Sequence, residues 1–317
     1  MTNTSDVQAR AFAAPPNEGG AQQAPFSFNP RAALYRAGSV LAPGLTGRIA
    51  TRMFSRSRTG RPRGDYPVPL GARRFDIDDA DVQAGYLWPA EGPTVFLIHG
   101  WSADSASMLG FVRPLLKEGF QVATFDAPGH GASRGPTTTM SRFVQAGVQA
   151  VRALGNVQFL VGHSLGAIAA AAVAARVREE QGVRIRAIGM VAAPTSLSNV
   201  LEIWASAEGQ QLPRGTRDLI YAHLHRDNGV PVSHWDIPAL SRGAQIPTVV
   251  LHDQADPVVP FSCAEHLRAQ LGAVLERTAG YGHSRILASA EAKAVIVDFL
   301  MTHNAPSQPE EKVETDV

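Results

Sequence analysis

A serine hydroxyl becomes a useful nucleophile only when the backbone exposes it and a base lies within hydrogen-bond reach. Ser164 stands where the first condition is met. Phe159-Leu160-Val161 reads as a buried strand, Gly162-His163-Ser164-Leu165-Gly166 as a turn, and the alanine-rich run after it as a helix. This is the pattern of a nucleophile elbow, a sharp strand-to-helix turn with a serine at its tip. The turn presses the helix start against the strand. The positions two before and two after the serine must then be nearly free of side chain, and Gly162 and Gly166 meet that demand. The helix N-terminus at the serine adds unpaired N–H groups that favour developing negative charge. A serine capping a helix after a glycine-rich turn would leave the same letters. The convincing strand and helix on either side favour the catalytic reading.

The base on offer is His283, which follows a late strand and the flexible Gly280-Tyr281-Gly282. Two carboxylates, Asp253 and Asp256, stand earlier in the chain, just past the apolar run 248–252. The order Ser, Asp, His along alternating strands suits a proton relay in which the acid orients the base. Metal chemistry finds no such support. His223 and His225 lie two apart, so on a helix they point to different faces, and no zinc-protease spacing occurs. No glycine-rich phosphate loop and no nucleic-acid-binding module appears, so neither a cofactor nor a nucleic-acid partner is expected.

These residues need a scaffold, and the apolar periodicity supplies one. Thr94 to Ile98 is a continuous apolar run, as in a strand buried on both faces of a parallel sheet. Further strands are expected at 121–125, 185–193, 248–252 and 274–278, with helices near 106–118, 140–154, 261–271 and 288–301. Weak alternation over 73–88 suggests two more strands joined through Asp78-Asp79-Ala80-Asp81. Such alternation predicts an α/β fold with a doubly wound, mostly parallel sheet, whose ligands bind beyond the carboxyl ends of the strands. Between 197 and 245 the strands stop and helical pieces take over, one opening at Thr216, which predicts a small helical cap insertion over the strand ends. Trp204, Leu219 and Trp235 of that cap, with Trp101 and His163, are the residues expected to line a substrate pocket.

Outside this domain, expected over 70–303, residues 1–30 and 304–317 read as disordered tails. Between Arg31 and Arg74 ten arginines face a single acid, Asp65. Leu45, Ile49 and Met53 recur every four residues, alongside Arg48, Arg52 and Arg56, so the 31–69 segment should contain an amphipathic basic helix. Two roles fit it: weak peripheral contact with an anionic membrane through 45–63, or packing on the domain with a solvated arginine face. The first apolar stripe is short, which favours packing. With 44% hydrophobic and 18% charged residues among 317, and a net charge of +1, the composition is that of a soluble globular protein. The single cysteine, Cys263, cannot form an intramolecular disulfide, and no leader or long apolar run is present, so a cytoplasmic location is expected.

Together the motifs His99-Gly100-Trp101, Asp126-Ala127-Pro128-Gly129-His130-Gly131-Ala132-Ser133, Gly162-His163-Ser164-Leu165-Gly166, 253–260 and Gly280-Tyr281-Gly282-His283 resemble the α/β-hydrolase fold superfamily, especially its esterase, lipase and serine-aminopeptidase-like branches. The resemblance covers roughly 70–303. It implies Ser164 as nucleophile, His283 as general base, Asp256 as the acid with Asp253 as the alternative, and an oxyanion hole from the amides of Trp101 and Leu165. Relatives commonly carry glycine where Asp253 stands, which favours Asp256. Asp126 and His130 are expected to anchor their own turn, and His99 to stabilise the oxyanion loop. The activity implied is that of a serine hydrolase, foremost a carboxylesterase cleaving a hydrophobic acyl ester or thioester, a small-molecule substrate. A carbon–carbon bond hydrolase or aminopeptidase on the same three residues, or a ligand sensor that keeps the scaffold without turnover, are the alternatives.

Overall fold

The computed structural model describes residues 37–57, 67–82, 85–207 and 214–304. The expected tail at 1–30, all but residue 304 of the expected tail at 304–317, and residues 31–36 and 58–66 of the basic 31–69 segment lie outside them. Among the described residues eight strands form one sheet in the order β1-β2-β4-β3-β5-β6-β7-β8. They are β1 (Arg73–Phe75), β2 (Gly85–Trp88), β3 (Thr94–Ile98), β4 (Gln121–Phe125), β5 (Val157–His163), β6 (Ala187–Val191), β7 (Thr248–Asp253) and β8 (Val274–Thr278). β2 pairs antiparallel with both neighbours, and every pairing from β4 to β8 is parallel. The central strands β3, β6 and β7 are buried at every position, which is why their sequences show no alternation.

The helices are α1 (Pro43–Ser55), α2 (Val112–Lys117), α3 (Met140–Leu154), α4 (Leu165–Gln181), α5 (Leu197–Ala207), α6 (Arg214–Asn228), α7 (Ile237–Leu240), α8 (Phe261–Leu271), α9 (Gly282–Arg285) and α10 (Ala290–Thr302). Two apolar clusters result. One holds α3, α4, the helices between β6 and β7, and Ala50 and Phe54 of α1. The other sits between the opposite face of the sheet and α2 and α10. α4 is buried over its first ten residues, so its alanines let it lie close to the strands below and the helices above.

Several boundaries differ from expectation for local reasons. The 106–118 helix is split into a 3-10 segment, Ser105–Phe111, and then α2. Pro114 has no N–H to offer the carbonyl of Gly110, so the α-helical ladder can only begin around it. β6 stops at Val191 because Ala192 turns to φ 50°. Among the described residues 197–245 contain helices and no strand, and no helix is long and apolar enough to cross a membrane.

The basic helix calls for the largest correction. α1 does pack on the domain, against α6, but not through Leu45, Ile49 and Met53, which stand 61%, 47% and 47% exposed. Its buried face is Thr46, Gly47, Ala50, Thr51 and Phe54. The small residues let the helices approach closely: a Cβ on Gly47 would lie 2.9 Å from Leu219 Cβ.

Candidate active site

β5 ends at His163 and α4 begins at Leu165, so the whole change of direction falls on Ser164, held at φ 52° and ψ −126°. Only close packing over-determines such a backbone at a non-glycine residue. A Cβ on Gly162 would sit 2.4 Å from the Gly166 carbonyl oxygen, and one on Gly166 would sit 2.5 Å from those of Ile98 and His99. These obstacles are backbone, so no rotamer change relieves them. On the other side, a Cβ on Gly100 would lie 3.1 Å from Ser164 Cβ, which puts the start of the 100–102 loop against the serine.

His283, in the single turn α9, stands 3.0 Å from Ser164 Oγ through Nε2 and 2.8 Å from Asp256 Oδ2 through Nδ1. Asp256 Oδ1 accepts the amides of Val258 and Val259 at 2.8 and 3.0 Å, which fixes the carboxylate plane. Burial pushes the Asp256 carboxyl up. The hydrogen bond and charge of His283 and the two amides outweigh it, holding the group below the ordinary carboxylate range. A charged acceptor at Nδ1 keeps the proton on that nitrogen and leaves the Nε2 lone pair facing the serine.

Asp253 serves a different end. Its side chain is fully buried and accepts from Thr278 Oγ1, the Tyr281 amide and the Ala255 amide at 2.9, 2.9 and 3.0 Å. It ties the end of β7 to the loop that carries His283. Burial raises this carboxyl too, and again the hydrogen bonds prevail and depress it below 3.8. A depressed carboxyl contributes its stability in full above the unfolded value. That contribution drains as pH falls below about 3.8, where the unfolded chain takes up protons first. Asp253→Asn should therefore lower the thermal midpoint at neutral pH, and the gap to wild type should narrow as pH falls from 6 to about 3. A gap that stays constant across that range would refute the assignment.

Two further histidines brace the pair. His163 Nε2 donates to the backbone carbonyl of His283 at 2.9 Å, and the two rings lie 4.9 Å apart. Burial and the nearby His283 push its pKa down to about 3, so it is a neutral strut. It is buried and, unlike Trp101, does not border the slot described below. His252 donates from Nε2 to the Val259 carbonyl at 2.9 Å and lies 3.5 Å from Asp256 Oδ2.

The loop after β3 is held by His99 and His130. The Ala127 amide donates to His99 Nε2 at 3.1 Å, and the Ser102 amide to His130 Nε2 at 3.1 Å. Each ring donates a hydrogen bond from Nδ1–H to a nearby carbonyl, that of Gly100 and that of Pro128 respectively. Burial lowers their pKa values to about 4 and about 3, so both rings stay neutral acceptors for those amides. Asp126 accepts from the Ser105 and Ala132 amides, joining this loop to its own. Leu165, as the first residue of α4, has an amide with no partner inside the helix.

Beside Trp101 and Leu165 runs a narrow slot, also lined by Phe54, Met140, Leu197 and Leu224, with Ser55, Thr138, Thr139 and Asn228 at its edges. Its volume is about 10 Å³, roughly room for one water. Trp101 is the one expected pocket residue that lines it. Trp204 backs it indirectly, meeting Phe54 edge-on at 5.8 Å, while Phe54 stacks on Trp101 at 6.1 Å. Leu219 is turned to Gly47 of α1, and Trp235 is 3% exposed in the core of the helical layer, so neither borders the slot. Phe54 was not foreseen. Its signal was weak: one aromatic residue four positions past Ala50 on a helix whose apolar stripe looked to be elsewhere.

Known proteins can be set beside this geometry. The model of the alpha/beta hydrolase family matches residues 95–296. Among solved structures, an esterase of Pyrococcus furiosus is 19% identical over 78% of this chain and 98% of its own, with a TM-score of 0.58. A membrane phospholipase A described as a bacterial virulence factor is 22% identical over 85% and 95%, with a TM-score of 0.55. A proline iminopeptidase-related protein of Thermus thermophilus is 20% identical over 74% and 98%, with a TM-score of 0.53. No curated protein matches. These likenesses are of fold, and their printed activities differ from one another. The sheet order with its antiparallel β2, the glycine-flanked turn at Ser164 and the matched span, which runs from β3 into α10, agree on one point: this chain belongs to the alpha/beta hydrolase family.

Proposed function

We propose that the protein is a serine hydrolase, foremost a carboxylesterase for hydrophobic acyl esters or thioesters. The observation that carries this reading is the unbroken hydrogen-bond series from Ser164 Oγ through His283 to Asp256. In this mechanism Ser164 attacks the carbonyl carbon while His283 Nε2 takes its proton, and Asp256 stabilises the imidazolium. The amides of Leu165 and Trp101 receive the oxyanion, a contribution on the order of 10²–10³ in rate per donor. The alcohol or thiol leaves with the proton from His283. Water then enters, is deprotonated by the same nitrogen, and releases the acid from Ser164.

The apolar lining of the slot favours an acyl chain. None of the residues lining it is a carboxylate that could receive a peptide's N-terminal ammonium, which speaks against an aminopeptidase. At its observed volume the slot admits no chain, so on this reading its walls part when an acyl chain enters. Labelling by a fluorophosphonate probe, followed by turnover of p-nitrophenyl esters from acetyl to dodecanoyl, tests the proposal. Labelling and a chain-length optimum beyond acetyl are expected. Binding of such esters with neither labelling nor turnover would favour the sensor alternative.

The exposed stripe of α1 and the segment before it supports a membrane partner. Val40, Leu41, Leu45, Ile49 and Met53 are between 47% and 84% exposed, with Arg48 and Arg52 on the same helix and Arg56 at its C-cap. Apolar side chains flanked by arginines suit the interface of an anionic bilayer. Wild type should float with phosphatidylglycerol vesicles more than with phosphatidylcholine vesicles, and Leu45→Ser/Ile49→Ser/Met53→Ser should stay in solution. Equal flotation of the two proteins would refute the role of the stripe.

A further inference from the structure

His163 is the last residue of β5 and His252 the last but one of β7, on either side of β6. Both rings are buried, and each reaches a loop that carries part of the Ser164–His283–Asp256 series. His163 Nε2 donates to the carbonyl of His283 itself. His252 Nε2 donates to the carbonyl of Val259, the residue whose amide holds Asp256 Oδ1. The other nitrogen of each ring has no such use. Among the described residues neither His163 Nδ1 nor His252 Nδ1 has a hydrogen-bond partner. Nε2 carries the proton, and burial pushes both rings below the ordinary histidine pKa, so each Nδ1 is a bare lone pair. In His163 that nitrogen lies against Gly100, where an added Cβ would come within 3.1 Å of it.

A buried acceptor without a partner destabilises a fold, and a leucine in either place would bring no such atom. What leucine could not bring is the N–H. The backbone around His283 shows why one is needed there. Gly280 and Gly282 turn at φ 86° and 65°, and the histidine then sits in the single turn α9. Glycines leave a backbone many paths, so the segment does not fix the imidazole by itself. Asp253 holds the Tyr281 amide, two residues short of the ring. The bond from His163 falls on the His283 peptide, and it holds the ring where Nε2 stands 3.0 Å from Ser164 Oγ and Nδ1 2.8 Å from Asp256 Oδ2. On the acid side His252 does the same for Val259, and through it for the carboxylate that receives Nδ1–H.

We infer that His163 and His252 are a matched pair of positioning residues, whose Nε2 donors tie the loops of His283 and Asp256 to the strand ends and so set both against Ser164. This rests on the serine-hydrolase reading and adds to it two side chains that touch neither the ester nor the transferred proton. The bare nitrogen in each ring is the stability given up for that alignment.

Leucine and glutamine at each position test it, in the full chain with p-nitrophenyl butyrate. Leucine fills the place without a donor, whereas glutamine carries an N–H₂ near where Nε2 stood. Active sites are counted by fluorophosphonate labelling carried to completion, and kcat is taken per labelled site. His163→Leu and His252→Leu should each lose about 10–100-fold in kcat, the scale of a reacting group displaced by an ångström or less. The same factor should appear in kcat/KM, because the alignment matters in the transition state and not in ester binding. The thermal midpoint should stay within about 2 °C of wild type, since the lost donor and the lost bare nitrogen offset each other. His163→Gln and His252→Gln should recover most of the rate. Counting sites makes the rate independent of how much protein is folded, so a lowered midpoint alone does not imitate the effect. Leucine variants with the wild-type kcat per site overturn the inference and leave the hydrolase reading in place. A loss that glutamine does not relieve overturns it too, as does a raised KM at unchanged kcat. A loss at one position alone assigns the role to that residue and withdraws it from the other. Wild type that neither labels nor turns over the ester overturns both readings.

Discussion

Ser164→Ala is expected to lower kcat on a p-nitrophenyl ester by about 10⁴–10⁶-fold and to abolish fluorophosphonate labelling, with little change in thermal midpoint. The two halves of that expectation have separate origins. Chemically, the variant keeps His283, Asp256 and the oxyanion amides, so what remains is a bound ester facing water with a base but no covalent route. Structurally, alanine meets the same φ of 52° that serine does, and the side chain gives up only its contact with His283. The strain at the turn is set by Gly162, Gly166 and Gly100, which the substitution leaves untouched. Stopped-flow or long-incubation assays with a midpoint measured on the same sample check both halves. Residual turnover within tenfold of wild type at an unchanged midpoint would exclude Ser164 as the nucleophile.

The next largest effect is expected at Asp256. Asparagine retains an oxygen for the amides of Val258 and Val259, so the fold of that loop should hold. The group then turned to His283 Nδ1 is an amide N–H₂, which donates where the carboxylate accepted. The imidazole must answer with a lone pair at Nδ1, moving its proton to Nε2, where it points at Ser164 and cannot accept the serine proton. Asp256→Asn should therefore cost about 10⁴-fold in kcat with KM nearly unchanged. Asp253→Asn, three residues away, should instead show mainly in stability. Should the two variants exchange these phenotypes, the roles given to the two carboxylates are reversed.

That pair also marks where sequence reading ended. The strand, the turn and the helix around Ser164 were legible because each obeys a local rule: an apolar run, two glycines, an alanine-rich stretch. The alternation of elements made the parallel sheet legible in the same way. Asp253 and Asp256 share one short loop, and choosing between them by residue type alone was open. What separates them is which amides each carboxylate meets, Tyr281 and Ala255 for one and Val258 and Val259 for the other, and these follow from the path of the loop in space. α1 was misread for a different reason. Periodicity counts apolar residues, so Leu45, Ile49 and Met53 drew attention, whereas the packed face owes its closeness to Gly47, Ala50 and Thr51. Small residues carry almost no hydrophobic signal, yet they decide how near two helices can come. Phe54 was missed because it lies off the stripe of Leu45, Ile49 and Met53, and the orientations of Trp235 and Leu219 depend on how the helices between β6 and β7 stack.

Phe54 has a bearing on how selectivity in this chain is divided. The family match begins at residue 95, and Ser164, Asp256 and His283 all lie within it, whereas one aromatic wall of the slot arrives from a helix some forty residues earlier. On the reading proposed here, bond cleavage and the choice of acyl group are written in separate stretches of polypeptide. A substitution in that early helix can retune which esters are accepted without disturbing a single atom of the proton relay.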